Sequence, residues 1–143
     1  KQVVVPQDLL GVGKVLLLDL GKVREIAEVR VNGRDLGILW KPPFRVEVTD
    51  AVKPGANLVE IRVTNLWPNR LIGDEQLPAD IEWTAGGALK EIPRWVSEGT
   101  PRPEPRRVTF TTWRHWAHDS PLLDSGLLGP VTLRLGQVVT VGQ

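Results

Sequence analysis

The 143-residue chain carries 18 basic and 17 acidic side chains, a formal net charge of +1, and 41% of it is hydrophobic. That length suits one domain with a core of its own, and the charge balance argues against a nucleic-acid or anionic-membrane partner, each of which would favour a one-signed patch. The chain has no cysteine, which removes disulfides, thiolate metal ligands and thiol catalysis together, and no apolar run approaches a membrane span. With no methionine and no signal-peptide pattern at Lys1, it reads as a processed or excised piece.

In chain order, the run from Val15 to Leu20 lacks alternation and predicts a strand covered on both faces. Ala27, Val29 and Val31 alternate with Glu28 and Arg30, the period of a strand with one wet face. Asn32-Gly33 follows, and then Leu36 to Trp40. An Asn-Gly pair between two such runs is a strong hairpin signal, because both central residues of a type I′ turn need positive φ. Lys41-Pro42-Pro43 interrupts the pattern, after which Phe44, Val46 and Val48 alternate with charged or polar neighbours. Lys53-Pro54-Gly55 makes a further turn ahead of Val59, Ile61 and Val63. Short strands with a turn every dozen residues predict an all-β, antiparallel β-sandwich with Val29, Val31, Phe44, Val46, Val48, Val59, Ile61, Val63 and Leu133 in its core.

From Asn65 to about Arg107 the chain reads as a long loop rich in Pro and Gly, with an extended stretch from Pro101 to Pro105. A connection this long inside one domain is often functional. Leu89, Ile92 and Val96 have the spacing of one face of a short helix, which Pro93 confines to a turn or two. Val108, Phe110 and Thr112 resume strand spacing, and Val131, Leu133 and Leu135 supply a closing strand. The tail after Gly136 reads as an edge strand or a free end.

Six segments carry a resemblance. The segments Leu18-Asp-Leu-Gly21, Ile26 to Gly33 and Leu36-Gly37 look like the sugar-binding jelly-roll domain of family 2 glycoside hydrolases and its galactose-binding-like relatives. The longer runs Leu39 to Phe44, Val63 to Asp74 and Ser125 to Pro130 narrow it. Over roughly residues 5 to 135 the chain resembles the C-terminal region of large bacterial α-L-rhamnosidase-like glycoside hydrolases (family 106 and its neighbours). The resemblance implies a galactose-binding-domain-like jelly roll, lacking one or more first strands, in a single module spanning 1–143. It also implies a secreted or periplasmic setting, and catalysis in a separate barrel domain. A sheet edge left open by missing strands would invite self-association.

Two constellations could carry recognition. Asn65, Trp67, Asn69 and Arg70, followed by Asp74, gather amides, a guanidinium and a carboxylate, the groups that hydrogen-bond sugar hydroxyls. The alternative for the same residues is a staple: Arg70 and Asp74 pair to hold the loop, and the two Asn side chains satisfy turn backbone. Trp113, Arg114 and Trp116 suit a stacking platform for pyranose rings, against the alternative that one Trp plugs the core. His115 and His118 beside Asp119 raise a metal site, but the i, i+3 spacing is unusual and no further ligands cluster, so no metal and no cofactor is assigned. Asp74, Glu75, Asp80, Glu82, Asp119 and Asp124 include no pair that the sequence marks as the two carboxylates of a glycosidase, and no catalytic residue is assigned. Arg102, Arg106, Arg107 and Arg114 read as solvated surface, and Asp19 and Asp50 as strand-end or turn residues.

The function expected is a non-catalytic carbohydrate-binding module attached to a glycoside hydrolase, with Trp67, Asn69, Arg70, Asp74, Trp113, Arg114 and Trp116 as its contacts. Its partners would be a polysaccharide or oligosaccharide and the parent catalytic domain. The alternatives are a purely structural domain packed against a catalytic barrel and, third, a small glycoside hydrolase.

Overall fold

The computed structural model describes residues 1–104 and 107–142. The chain divides into two compact units, Lys1–Leu66 with Asp124–Gln143, and Trp67–Leu123. The first unit is the all-β antiparallel sandwich expected from the alternation. Its strands are β1 (Gln2–Val5), β2 (Lys14–Asp19), β3 (Lys22–Arg24), β4 (Ile26–Val31), β5 (Arg34–Leu39), β6 (Arg45–Glu47), β7 (Gly55–Thr64), β8 (Gly126–Gly129) and β9 (Thr132–Gln137). They form a four-stranded sheet in the order β1-β7-β4-β5, a three-stranded sheet β6-β2-β9 and a two-stranded ribbon β3-β8.

The Asn32-Gly33 turn forms as the sequence predicts. Val31 pairs with Arg34 across it, and φ is +52° at Asn32 and +81° at Gly33, the left-handed region a type I′ turn requires. Asn32 has a second task. Its amide donates to the Ala51 carbonyl and to Asn57 Oδ1, both at 2.8 Å, and accepts from the Leu58 N–H at 2.9 Å. Asn57, 2% exposed, also accepts from the Lys53 N–H and donates to the Lys53 and Gly55 carbonyls. One buried amide therefore ties the Lys53-Pro54-Gly55 turn to the hairpin, with its donors and acceptors matched.

The core joins both sheets: Val5 from β1, Leu16 and Leu18 from β2, Val23 from β3, and Ala27, Val29 and Val31 from β4, with Leu20, Phe44 and Val48 from the connections. Four of the nine expected core residues, Val29, Val31, Phe44 and Val48, are fully buried; Val46, Val59, Ile61, Val63 and Leu133 pack on the cluster from its half-exposed margin. The Val15–Leu20 run supplies the most deeply buried leucines, Leu16 and Leu20. Asp19 ends β2 as a buried anchor: Oδ1 accepts the Gly21 N–H at 2.9 Å, and Oδ2 accepts Arg45 Nη2 and pairs with Arg134 Nε, each at 2.8 Å. The Gly21 hydrogen bond and then Arg45 hold its carboxyl below the usual range.

The second unit departs from its sequence reading in four places. Where a continuous loop is expected, helix α1 (Pro68–Asp74) forms with proline in its first turn, a position that needs no N–H. The predicted helical face of Leu89, Ile92 and Val96 does not exist. Helix α2 is only Arg94–Ser97, started by Pro93, while Leu89 bridges Trp83 in extended conformation and Ile92 is exposed. The strand expected at Val108, Phe110 and Thr112 is also absent. Val108 is 61% exposed and Thr109 6%, the reverse of the predicted phase, because Thr109 turns inward to a carboxylate. Finally, Arg102 and Arg107 are not solvated surface, since their side chains are 9% and 7% exposed; Pro105 and Arg106 lie outside the described residues.

Those two arginines organise the unit. Arg102 forks onto Asp80, donates to the Arg107 and Thr109 carbonyls, and lies over the Trp95 ring with its guanidinium carbon 4.7 Å from the centroid. Arg107 donates to Glu75 Oε1 at 2.7 Å and to the carbonyls of Leu77 and Pro78 at 2.7 and 3.0 Å. Arginine suits this role because its planar fork serves several acceptors in fixed directions. Among the described residues of this unit Ile72 is the only hydrophobic side chain buried outright, so directional polar contacts replace an apolar core.

Candidate functional site

The first candidate segment begins where β7 ends. Asn65 Oδ1 accepts the Gly126 N–H at 2.7 Å within the sandwich unit. In the second unit the Trp67 carbonyl accepts the N–H groups of Arg70 and Leu71 to start α1, and its indole is 60% exposed. Asn69 both donates to the Leu123 carbonyl and accepts the Leu123 N–H, each at 2.8 Å. That closes the two ends of the unit as a pair of strand residues would. Asp74 is 2% exposed. Its Oδ2 accepts from the Val108 N–H at 2.8 Å, the Thr109 N–H at 2.6 Å and the Thr109 hydroxyl at 2.8 Å; Oδ1 lies 3.3 Å from Arg70 Nη2. Burial alone would raise this carboxyl, but the Thr109 and Val108 hydrogen bonds and the Arg70 charge hold it below the ordinary range. Asn65, Asn69, Arg70 and Asp74 thus all make internal contacts, and Trp67 and the Arg70 side chain are more than half exposed.

The second segment is held by a small run of backbone pairings. Thr84 N–H donates to the Ala88 carbonyl, Leu89 N–H to Thr112, and Arg114 N–H to Gly87, all at 2.8–2.9 Å. Trp113, 49% exposed, bridges Ala88, and its ring lies alongside Gly87, where an added Cβ would stand 3.8 Å from the indole. Arg114 reaches Glu75 Oε2 at 3.4 Å with its side chain nearly half exposed. His115 and His118 are exposed and Trp116 is half-buried. Among the described residues no group of three or more His, Cys, Asp or Glu side chains could hold a metal ion.

Arg114 and Trp116 come together at a cleft that Leu71, Glu75, Ile81, Trp83, Arg102, Arg107, Thr109, Thr111 and His115 complete. Its free volume is about 20 Å³, room for one water and not for a sugar ring. Trp67, Asn69, Arg70, Asp74 and Trp113 are not among the lining residues. Sequence reading missed Trp83, Glu75 and the two buried arginines here. The carboxylate partners lie 22 and 32 residues away in sequence, so no local pattern announces the pairs.

No protein-family model matches the chain. It is 52% identical over 131 residues to a protein of Formosa agariphila provisionally named a beta-glucuronidase, which spans 92% of this chain and 11% of that protein. The solved structure of a rhamnosidase from Novosphingobium sp. PP1Y superposes with a TM-score of 0.69 and 36% identity, over 95% of this chain and 10% of the rhamnosidase. The chain thus spans about a tenth of each of these two proteins. By sequence and by fold it is similar, over nearly its whole length, to one domain-sized part of much longer glycosidases.

Proposed function

We propose that the chain is a non-catalytic accessory β-sandwich module of a longer glycoside hydrolase, and that it contacts carbohydrate through its Trp67–Leu123 unit. The observation that carries the accessory role is the match of nearly the whole chain to a tenth of the rhamnosidase. For contact with sugar, the support is Trp67 and Trp113 presented half-exposed or more, with the Arg114 guanidinium near Trp116. A pyranose would lie on the indole faces rather than enter the cleft. In this reading Trp67, Trp113, Arg114 and Trp116 touch ligand, while Asn69, Arg70 and Asp74 set the scaffold. The same geometry favours a second reading, a structural domain without sugar affinity, since Asn69 and Asp74 are fully engaged inside the unit.

Affinity electrophoresis on a panel of polysaccharides separates the two. Retardation that Trp113→Ala or Trp116→Ala abolishes, with the melting temperature unchanged, supports binding. Absence of retardation on every gel supports the structural reading, and turnover of aryl glycosides by this chain would refute the non-catalytic assignment. No described helix is long and apolar enough to cross a membrane; a secreted or periplasmic setting belongs to the proposal and rests on the family resemblance. Self-association also belongs to it: β1 is an edge strand, and light scattering showing a strict monomer at high concentration would refute pairing there.

A further inference from the structure

The outer face of the four-stranded sheet, in the other unit, has chemistry that the site above does not use. Across β4 and β7 the register sets Glu28 opposite Arg62 and Arg30 opposite Glu60. Carboxylates and guanidinium groups therefore alternate in a checkerboard, with Glu28 and Arg62 3.4 Å apart and Arg30 3.6 Å from Asp35 on β5. Glu28, Arg30, Glu60 and Arg62 line an open depression of about 310 Å³ with Ile61, the lower end of the size range of small-ligand sites. Beside it, Ile38 pairs across from Glu28 and is 61% exposed. Trp40 directly follows the end of β5, is 67% exposed and does not line the depression, with the Lys41 ammonium 5.0 Å from its ring centroid.

We propose that this sheet face is a second carbohydrate site, taking a neutral oligosaccharide with one ring on Trp40 and hydroxyls along the Glu28–Arg62 and Arg30–Glu60 pairs. Neutrality follows from the lining. Two carboxylates and two guanidinium groups line the depression, and Asp35 on Arg30 and Lys41 on Trp40 add one charge of each sign, so the charges cancel and the face offers no net attraction to a uronate or phosphate. What it does offer is acceptors and donors in alternation, as a row of hydroxyls, each both donor and acceptor, requires. The exposed Trp40 indole, at the end of the strand that pairs with β4, supplies an apolar surface for the C–H face of a ring. Exposed ion pairs of this kind add little to fold stability, so their replacement leaves the sandwich intact. The inference is independent of the aromatic site in the other unit.

The test is titration calorimetry of the 143-residue chain with cellohexaose, xylohexaose and mannohexaose, and with a galacturonate hexamer as the charged control. We expect saturable binding of at least one neutral hexasaccharide, unchanged between low and high salt. Trp40→Ala should weaken it at least about fivefold, as should the double variant Glu28→Gln, Arg62→Gln, with melting temperatures unchanged. Binding by no neutral hexasaccharide, preference for the galacturonate, or wild-type affinity in Trp40→Ala would each overturn the proposal. Trp113→Ala, run in parallel, reads the other site: it should keep the Trp40-dependent binding, and complete loss of binding in Trp113→Ala would overturn the second site.

Discussion

Asp74→Ala should destabilise the protein by about 2–4 kcal/mol, in the range for leaving several buried donors without their charged acceptor. The magnitude follows from what is left behind. Three donors, the N–H groups of Val108 and Thr109 and the Thr109 hydroxyl, lose one shared acceptor. A hydrogen bond to a charged group contributes about 1.5–3 kcal/mol, and the three do not add because the hydroxyl can rotate and water can enter. Asp74→Asn keeps an acceptor for the donors but turns an amide toward Arg70, and should cost about 1–2 kcal/mol. Arg70→Ala should cost less than about 1 kcal/mol, since its half of the pair is 53% exposed. Urea unfolding followed by tryptophan fluorescence is the assay, because Trp67, Trp83, Trp95, Trp113 and Trp116 all lie in the unit Asp74 holds. If Arg70→Ala costs as much as Asp74→Ala, the salt bridge and not the loop staple is the cement, and the reasoning fails.

The depressed Asp74 and Asp19 carboxyls bind protons more weakly folded than unfolded, where the value is about 3.9, so their stabilisation is complete above that value and lost as pH falls through the folded one. The melting temperature should hold between pH 7 and about 5 and drop below about 4, with a shallower acid drop in Asp74→Asn. Asn57→Ala strips partners from Asn32, Lys53 and Gly55 and should cost about 2–4 kcal/mol in urea unfolding. Gly21→Ala would place a Cβ 2.5 Å from the Gly129 carbonyl carbon and oxygen at φ +64°; a loss of about 3 kcal/mol or more is expected, and a near-neutral melt would show that β8 can give way. Arg107→Lys keeps the charge but cannot reach Glu75 and two carbonyls together, and should lower the midpoint by about 2–4 kcal/mol equivalent.

The sandwich unit was legible because its physics is periodic. Alternation at Ala27 to Val31 and at Val59 to Val63 records which side of a sheet faces the core, and Asn32-Gly33 records a backbone conformation few other pairs adopt. Even there the sequence does not say that Asn32 also clasps Asn57, since that contact joins residues 25 apart. The second unit was largely illegible because little in it is periodic. Val108 and Phe110 have the spacing of a strand, yet the side chain that turns inward is Thr109, drawn to Asp74 from 35 residues away. Arg102 and Arg107, in a Pro-rich stretch, look like surface until their carboxylates and carbonyls are in place. The candidate site was half visible. Tryptophans and amides near a loop were conspicuous, but whether an Asn faces ligand or closes backbone, as Asn69 does on Leu123, depends on a partner no spacing reveals.

The contrast between the two units bears on how each could bind. An apolar core such as that around Val29 and Leu16 is non-directional: it keeps a sheet face flat and regular and leaves its outer residues free, which is the condition for the Glu28–Arg62 and Arg30–Glu60 rows to present themselves in fixed register. The arginine-centred unit works the other way. Burying Arg102 and Arg107 carries a desolvation cost that a hydrophobic filling would avoid, and what the ion pairs add is direction. Glu75 takes Arg107 on one oxygen and Arg114 on the other, Arg102 fixes the Trp95 ring, and backbone bonds set Trp113 on the edge of Gly87 and Ala88. Aromatic groups on an irregular loop would otherwise lose conformational freedom on binding, at about 0.5–1.5 kcal/mol per side chain. On the proposed reading, a polar scaffold that has already removed that freedom would make weak, surface-lying stacking contacts worth having, and its polar residues would face one another instead of the ligand.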